Sequence, residues 1–407
     1  MGNATAGRQS RRIAWHALVC VLIALRSDAA DLFTDADAVV PTPDVSAPRY
    51  LRPTTDPAFD TRVTRITDDP GVTSGDVTWG DRARHGYSKV QPWNADESLL
   101  MILNSGRPST LILDGETYEY RFAVDFAHDE IRWHPTRPNV MVYTRGNTLN
   151  LYDVASAQHT LLRLFAEYED TRYALKIGPW EGNLSNDGAW IALVSAAESG
   201  EYEVYAYDIS ADTKHRPMSL GQESLRADFD WASMSASGTY VVIQRSDTDT
   251  RVYDREMNFV GKLPVNISHF DLAVDVDEED VAVGVSKPGA YDGSVVKVRL
   301  RDGHVTRLTT LGYASHTSTR NIRRRGWAYV TYQTRSASWP PYHDEIVAVK
   351  MDGSGAIERY AHMHALRTDY PTEAQACPSP DGRRVVFAST WDEPSGRPIG
   401  CYVVDAR

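Results

Sequence analysis

The sequence predicts an all-β fold, a seven-bladed β-propeller closed by an N-terminal strand. Three observations predict it. A segment made of a short lead, a tight turn and an apolar run recurs seven times, no stretch sustains helical periodicity, and the last repeat is one strand short while a spare alternating strand precedes the first. Composition agrees: 407 residues, 42% hydrophobic, 10% aromatic, with 27 Gly and 21 Pro, suit a large turn-rich β protein.

Taken in chain order, residues 1–30 read as a secretory signal. Arg8, Arg11 and Arg12 form a basic start, "IAWHALVCVLIAL" an apolar core too short to span a bilayer, and "SDAA" a small-residue cleavage site. Residues 31–58 form an N-terminal extension and 59–407 the propeller. Loss of the leader removes four Arg and one Asp and takes the formal net charge from −12 to −15. Such a chain is no bulk binder of nucleic acid, and it is read as an exported monomer without stable membrane insertion. It can still hold an anionic ligand where a pocket concentrates its cations. Of the cysteines after the leader, Cys377 and Cys401 fall on the first and third strands of one unit, about 10 Å apart at ~4.8 Å per strand, and are read as unbridged.

The repeats run "WNADESLLMI" from Trp93, "WHPTRPNVMVY" from Trp133, "LSNDGAWIALV" from Leu184, "MSASGTYVVI" from Met234, "VDVDEEDVAVG" from Val274, "IRRRGWAYVTY" from Ile322 and "PSPDGRRVVFAS" from Pro378, with starts 40 to 56 residues apart. Asn, Asp, Ser and Gly at their turns supply the backbone conformations of hairpins. Further β-rich runs such as "EYEVYAYDIS" and "EIVAVKMDGSG" follow most of them. Each unit therefore reads as one four-stranded blade. "TRVTRITD", residues 61–68, is the spare strand, and it completes the last blade and seals the ring.

"PSPDGRRVVFAS" and its relatives resemble the repeats of TolB-type propellers. The run from "DPAFDTRVTRITD" through "HGYSKVQPWNADES" to "AQACPSPDGRRVVFAS" resembles exported seven-bladed lyases of the oligogalacturonate-lyase type, to which rhamnose–glucuronate lyases are related. The fold-level resemblance covers residues 59–407. It implies cleavage of an anionic, uronic-acid-containing carbohydrate by β-elimination, and a divalent metal held by His residues and a Gln near the last two blades.

In a propeller the innermost strands line the channel, so residues at their starts converge on one face. These positions carry His85, His128, Lys176, Asp230, His269, His316 and Gln375, including four of the twelve histidines. His85, with Tyr87 beside it, is the first choice for acid or base, and His128 the second. Arg320 in "SHTSTRN" is assigned to neutralising the uronate carboxylate, with Lys89, His269 and Asn321 contacting substrate. "HMH" places His362 and His364 on one side of an extended segment, and with His316 they form a candidate metal set with Gln375 as a fourth donor. The ion is read as manganese, zinc or calcium, imidazole favouring the first two. Two readings compete with the lyase. A non-catalytic TolB-like binding propeller would need no histidine cluster, and a glycoside hydrolase would use a carboxylate pair such as Asp230 and Asp271. A propeller followed by a serine hydrolase is disfavoured, because no G-x-S-x-G motif occurs.

Overall fold

The computed structural model describes residues 1–2, 32–168, 173–197, 199, 201–221, 229–287, 289–291, 293–310, 314–333 and 341–406. The leader read over residues 1–30 therefore lies, but for its first two residues, outside the described residues. Among the described residues no helix is long and apolar enough to cross a membrane.

Among the described residues the strands form seven antiparallel sheets arranged as blades and one small hairpin, Thr73–Ser74 with Val77–Thr78. Blades 1 to 6 occupy residues 83–123, 130–164, 173–221, 231–262, 267–307 and 316–362, each running outward from its innermost strand. The seventh combines Cys377–Pro378, Arg384–Ser389 and Gly400–Asp405 with Thr61–Arg65, which pairs in the register Arg62↔Asp405, Val63↔Val404, Thr64↔Val403 and Arg65↔Tyr402. The N-terminal strand thus closes the ring, as the missing fourth strand of the last repeat predicts. Thr54–Asp56 adds a fifth strand outside it.

Blades pack face to face, so their middle strands are buried on both sides and read as unbroken apolar runs rather than alternating ones. Asp280–Ser286 is buried at every position. Between blades 6 and 7, Val63, Tyr329, Ile346, Val385, Phe387 and Val404 form one such core. Turn chemistry sets each hairpin. In "PSPDG" Asp381 accepts from Ser379 Oγ at 2.6 Å and from the Arg383 N–H at 3.0 Å. Gly382 there takes φ +74°, and a Cβ on it would meet the Tyr329 hydroxyl at 2.5 Å.

Residues 32–58 strap the outer edge of the last two blades. Arg359, fully buried, donates to the carbonyls of Asp35 and Ala38 at 3.2 and 2.7 Å, and its own N–H bonds the Phe33 carbonyl at 2.9 Å. Trp391 Nε1 donates to the Val45 carbonyl at 2.9 Å, and Asp56 accepts the His362 N–H at 2.9 Å. Cys377 and Cys401 are both buried free thiols.

Candidate active site at the channel mouth

Three neighbouring starts converge. His316 opens the innermost strand of blade 6, His316–Ser318, and His269 lies on that of blade 5, Ile267–Val274, where a bulge between Ser268 and Asp271 gives it φ +47°. The bulge turns the His269 ring toward His316, centroids 4.4 Å apart. Tyr87, from the entry of blade 1, closes the group: its hydroxyl lies 3.1 Å from His269 Nδ1 and its ring meets His316 edge-on at 5.4 Å. Lys89 pairs with Glu181 and sits 3.7 Å above the Trp231 ring, at the same mouth.

The loop entering blade 7 supplies groups that the sequence reasoning did not single out. Tyr370 bonds Tyr87, and its ring is 6.4 Å from His316. Glu373 is buried, with one carboxylate oxygen paired to Arg367 and the other 3.5 Å from His316 Nε2. No periodic strand or motif marks "LRTDYPTEAQA", so only the chemical variety of Arg, Tyr and Glu in one short loop hinted at it.

Burial is the main electrostatic force here. It holds His269 down to about 3, helped by the cations of Lys89, Lys287 and Arg367, and it holds His316 well below its ordinary value, helped by His269, Arg84, Lys89 and Arg367. Burial pushes the Tyr87 phenol well above its ordinary value, with Glu181 and Tyr370 adding to the shift. At neutral pH the site therefore holds neutral imidazoles and intact phenols ringed by fixed cations.

Several sequence assignments are corrected by the geometry. His85 is fully buried, with Nε2 2.6 Å from the Gln375 carbonyl, so its ring is spent on joining blades 1 and 7. His128 is half-buried, its Nδ1 3.0 Å from the Phe126 carbonyl, and it stays within blade 2. Arg320 lies four residues on from His316, two past the end of that strand, about 13 Å away at ~3.3 Å per extended residue. Its guanidinium is locked to Asp271 at 2.8 and 2.9 Å and lines a different cavity, with Trp93, Trp133, His134 and Asn186. The Asn321 amide donates to the carbonyls of Arg324 and Trp327, holding the following turn rather than a ligand.

The metal set does not assemble either. His316 is on the innermost strand of blade 6 and His362 on the outermost, Ile357–His362, so three strand spacings, roughly 14 Å, separate them. His362 instead stacks on Phe59 at 4.8 Å and faces Asp56 at 3.4 Å. Gln375 Oε1 accepts from Arg84 at 2.6 Å. His364 joins Asp344 and Asp392, whose ligand atoms together lie within 4.8 Å of one another, a set able to hold a divalent ion.

No family model and no curated protein matches the chain. Solved structures do. An oligogalacturonate lyase in complex with manganese superposes with a TM-score of 0.63 at 13% identity, covering 88% of this chain and 96% of its own. The chain shares the oligogalacturonate-lyase fold. A second oligogalacturonate lyase, from Vibrio parahaemolyticus, gives 0.61 at 10% identity over 87% and 96%. A lyase of this fold that carries manganese raises the question of an ion at the mouth. The residues here do not make a full ligand set for one: Arg367 holds one oxygen of Glu373, and Arg84 occupies Gln375 and the carbonyls of Pro371 and Glu373. Among the described residues no third His, Cys, Asp or Glu joins His316 and Glu373 in a ligand group.

Proposed function

We propose that this protein is an exported lyase that cleaves uronic-acid-containing poly- or oligosaccharides by β-elimination. The observation that carries the reading is the 3.1 Å contact of the Tyr87 hydroxyl with His269 Nδ1, set beside Arg367 and Lys287 in a propeller mouth.

The proton on C5 of a uronate is acidic only once the neighbouring carboxylate is neutralised. Arg367 and Lys287, each partly exposed, bind that carboxylate and stabilise the charge that develops as the proton leaves. A phenol with a raised pKa is a poor base by itself. His269, held near 3 while the site is empty, gains basicity when the substrate carboxylate brings negative charge beside it, and its Nδ1 then accepts the phenolic proton as the Tyr87 oxygen takes the proton from C5. The C4–O bond then breaks, and Tyr370, about half exposed and bonded to Tyr87, donates a proton to the departing oxygen. The products are a 4,5-unsaturated uronate and a shortened chain.

The hydrolase reading loses its carboxylate pair, since Asp271 is held by Arg320. Incubating the protein with a panel of pectic, gum and algal uronates and following ultraviolet absorbance tests the proposal. A conjugated unsaturated product is expected; reducing ends without that chromophore would establish a hydrolase, and binding without either a non-catalytic propeller.

A further inference from the structure

Away from the mouth, the seam between blades 6 and 7 brings together residues from three turns. Asp344 precedes the third strand of blade 6, Glu345–Lys350; His364 follows the outermost strand; and Asp392 follows Arg384–Ser389 of blade 7. We propose that Asp344, His364 and Asp392 bind a divalent transition-metal ion, at a site separate from the catalytic mouth.

Charge accounting points there first. Among the buried carboxylates, Glu97, Glu130, Asp271, Asp275, Glu345 and Asp405 each pair with an Arg or Lys. Asp56 faces His362, and Asp280 accepts from the hydroxyls of Ser235 and Ser237. Glu373 pairs with Arg367, and Asp344 differs from all of these in having no side-chain hydrogen-bond or ion-pair partner among the described residues. It is only 8% exposed, and its oxygens accept the N–H groups of His364 at 2.8 Å and Ala365 at 3.3 Å, with no side-chain cation paired to it among the described residues. Beside it Asp392 contributes a second carboxylate, whose ion-pair partner among the described residues is His364 alone. Two carboxylates this close, one of them buried, repel each other when both are ionised, and a cation between them relieves that repulsion.

The donors also have the right spacing. His364 Nδ1 and Asp392 Oδ2 are 2.9 Å apart, near the ~3 Å edge that adjacent ligands form around an ion bound at ~2.1 Å. All three ligand atoms lie within 4.8 Å of one another, so closing on an ion needs only small side-chain rotations. The imidazole is already fixed in place, because its ring stacks on Trp391 at 4.4 Å and the His364 carbonyl accepts from Ser389 Oγ at 2.7 Å. The exposed Asp392 side chain leaves the seam open to solvent, which gives the ion an entry path. One imidazole with two carboxylates suits manganese or zinc, whereas magnesium and calcium favour all-oxygen sets.

The test uses the full chain stripped with chelator, titrated with manganese chloride, with bound ion read by loss of the free-ion electron paramagnetic resonance signal. One tightly held ion per chain is expected. Asp392→Asn, at an exposed position that leaves the fold intact, should weaken binding about tenfold or more, as should His364→Ala. His316→Ala should leave the affinity unchanged. Failure of the wild-type chain to retain manganese or zinc would overturn the proposal, as would loss of the ion in His316→Ala with retention in Asp392→Asn.

Discussion

Tyr87, His269 and Arg367 divide the proposed chemistry among them, and their removal separates binding from turnover. Tyr87→Phe and His269→Ala should each lower kcat by about two to four orders of magnitude while leaving KM within a few-fold, because proton transfer acts in the transition state. Arg367→Met should raise KM as well, since the carboxylate it meets is charged before reaction. Separate kinetic constants for the three variants check this. The same histidines make stability depend on pH. His85 and His269 are held down to about 3, and His316 well below its ordinary 6.5, so in the folded chain they resist protonation that the unfolded chain accepts. Their contribution is therefore complete above about pH 6.5 and is lost as pH falls from there toward 3, by up to about 1.4 kcal/mol per pH unit for each ring. Denaturant midpoints at pH 7.5 and 5 should show the acid-side loss, and His85→Gln should reduce it.

At the scale of strands and loops, the sequence discloses some things well and others poorly. The hairpins are legible because Asn, Asp, Ser and Gly sit where a left-handed residue or side-chain acceptor is needed, as in "PSPDG". Gly382→Ala forces an alanine to φ +74° with its Cβ 2.5 Å from the Tyr329 hydroxyl, and should cost about 1–3 kcal/mol in thermal or denaturant unfolding. Tyr87, Lys89, His269 and His316 are legible at strand starts because the repeat fixes which residues face the channel. His362 misleads for a related reason, and His364, which does stand in a group able to hold an ion, does so away from His316: alternation looks the same on an outermost strand as in an entry loop, so the period shows a shared side without showing which edge of the blade it borders. Arg320 shows the complementary error. Four residues along an extended segment keep the facing and change the depth, and a string of letters does not display depth. Arg367, Tyr370 and Glu373 lie in a loop without period, where only the folded chain brings them to His316.

For the whole molecule, ring closure is the controlling feature. Val63 is 3% exposed within the core shared by blades 6 and 7, and it belongs to the closing strand. Val63→Asp places an unpaired charge there and should cost at least about 3 kcal/mol, seen as a lowered Tm or as failure to recover folded protein. The surface variant Arg62→Lys should behave as wild type within about 0.5 kcal/mol. The partners in that last seam, Arg62 and Asp405, are 343 residues apart in the chain. A growing polypeptide therefore carries Thr61–Arg65 with an open hydrogen-bonding edge through nearly all of its synthesis, and no partial chain lacking Gly400–Asp405 can finish the circle. Ring closure is thereby deferred until synthesis has passed the last strand, so six blades can form while the seventh still waits for its fourth strand.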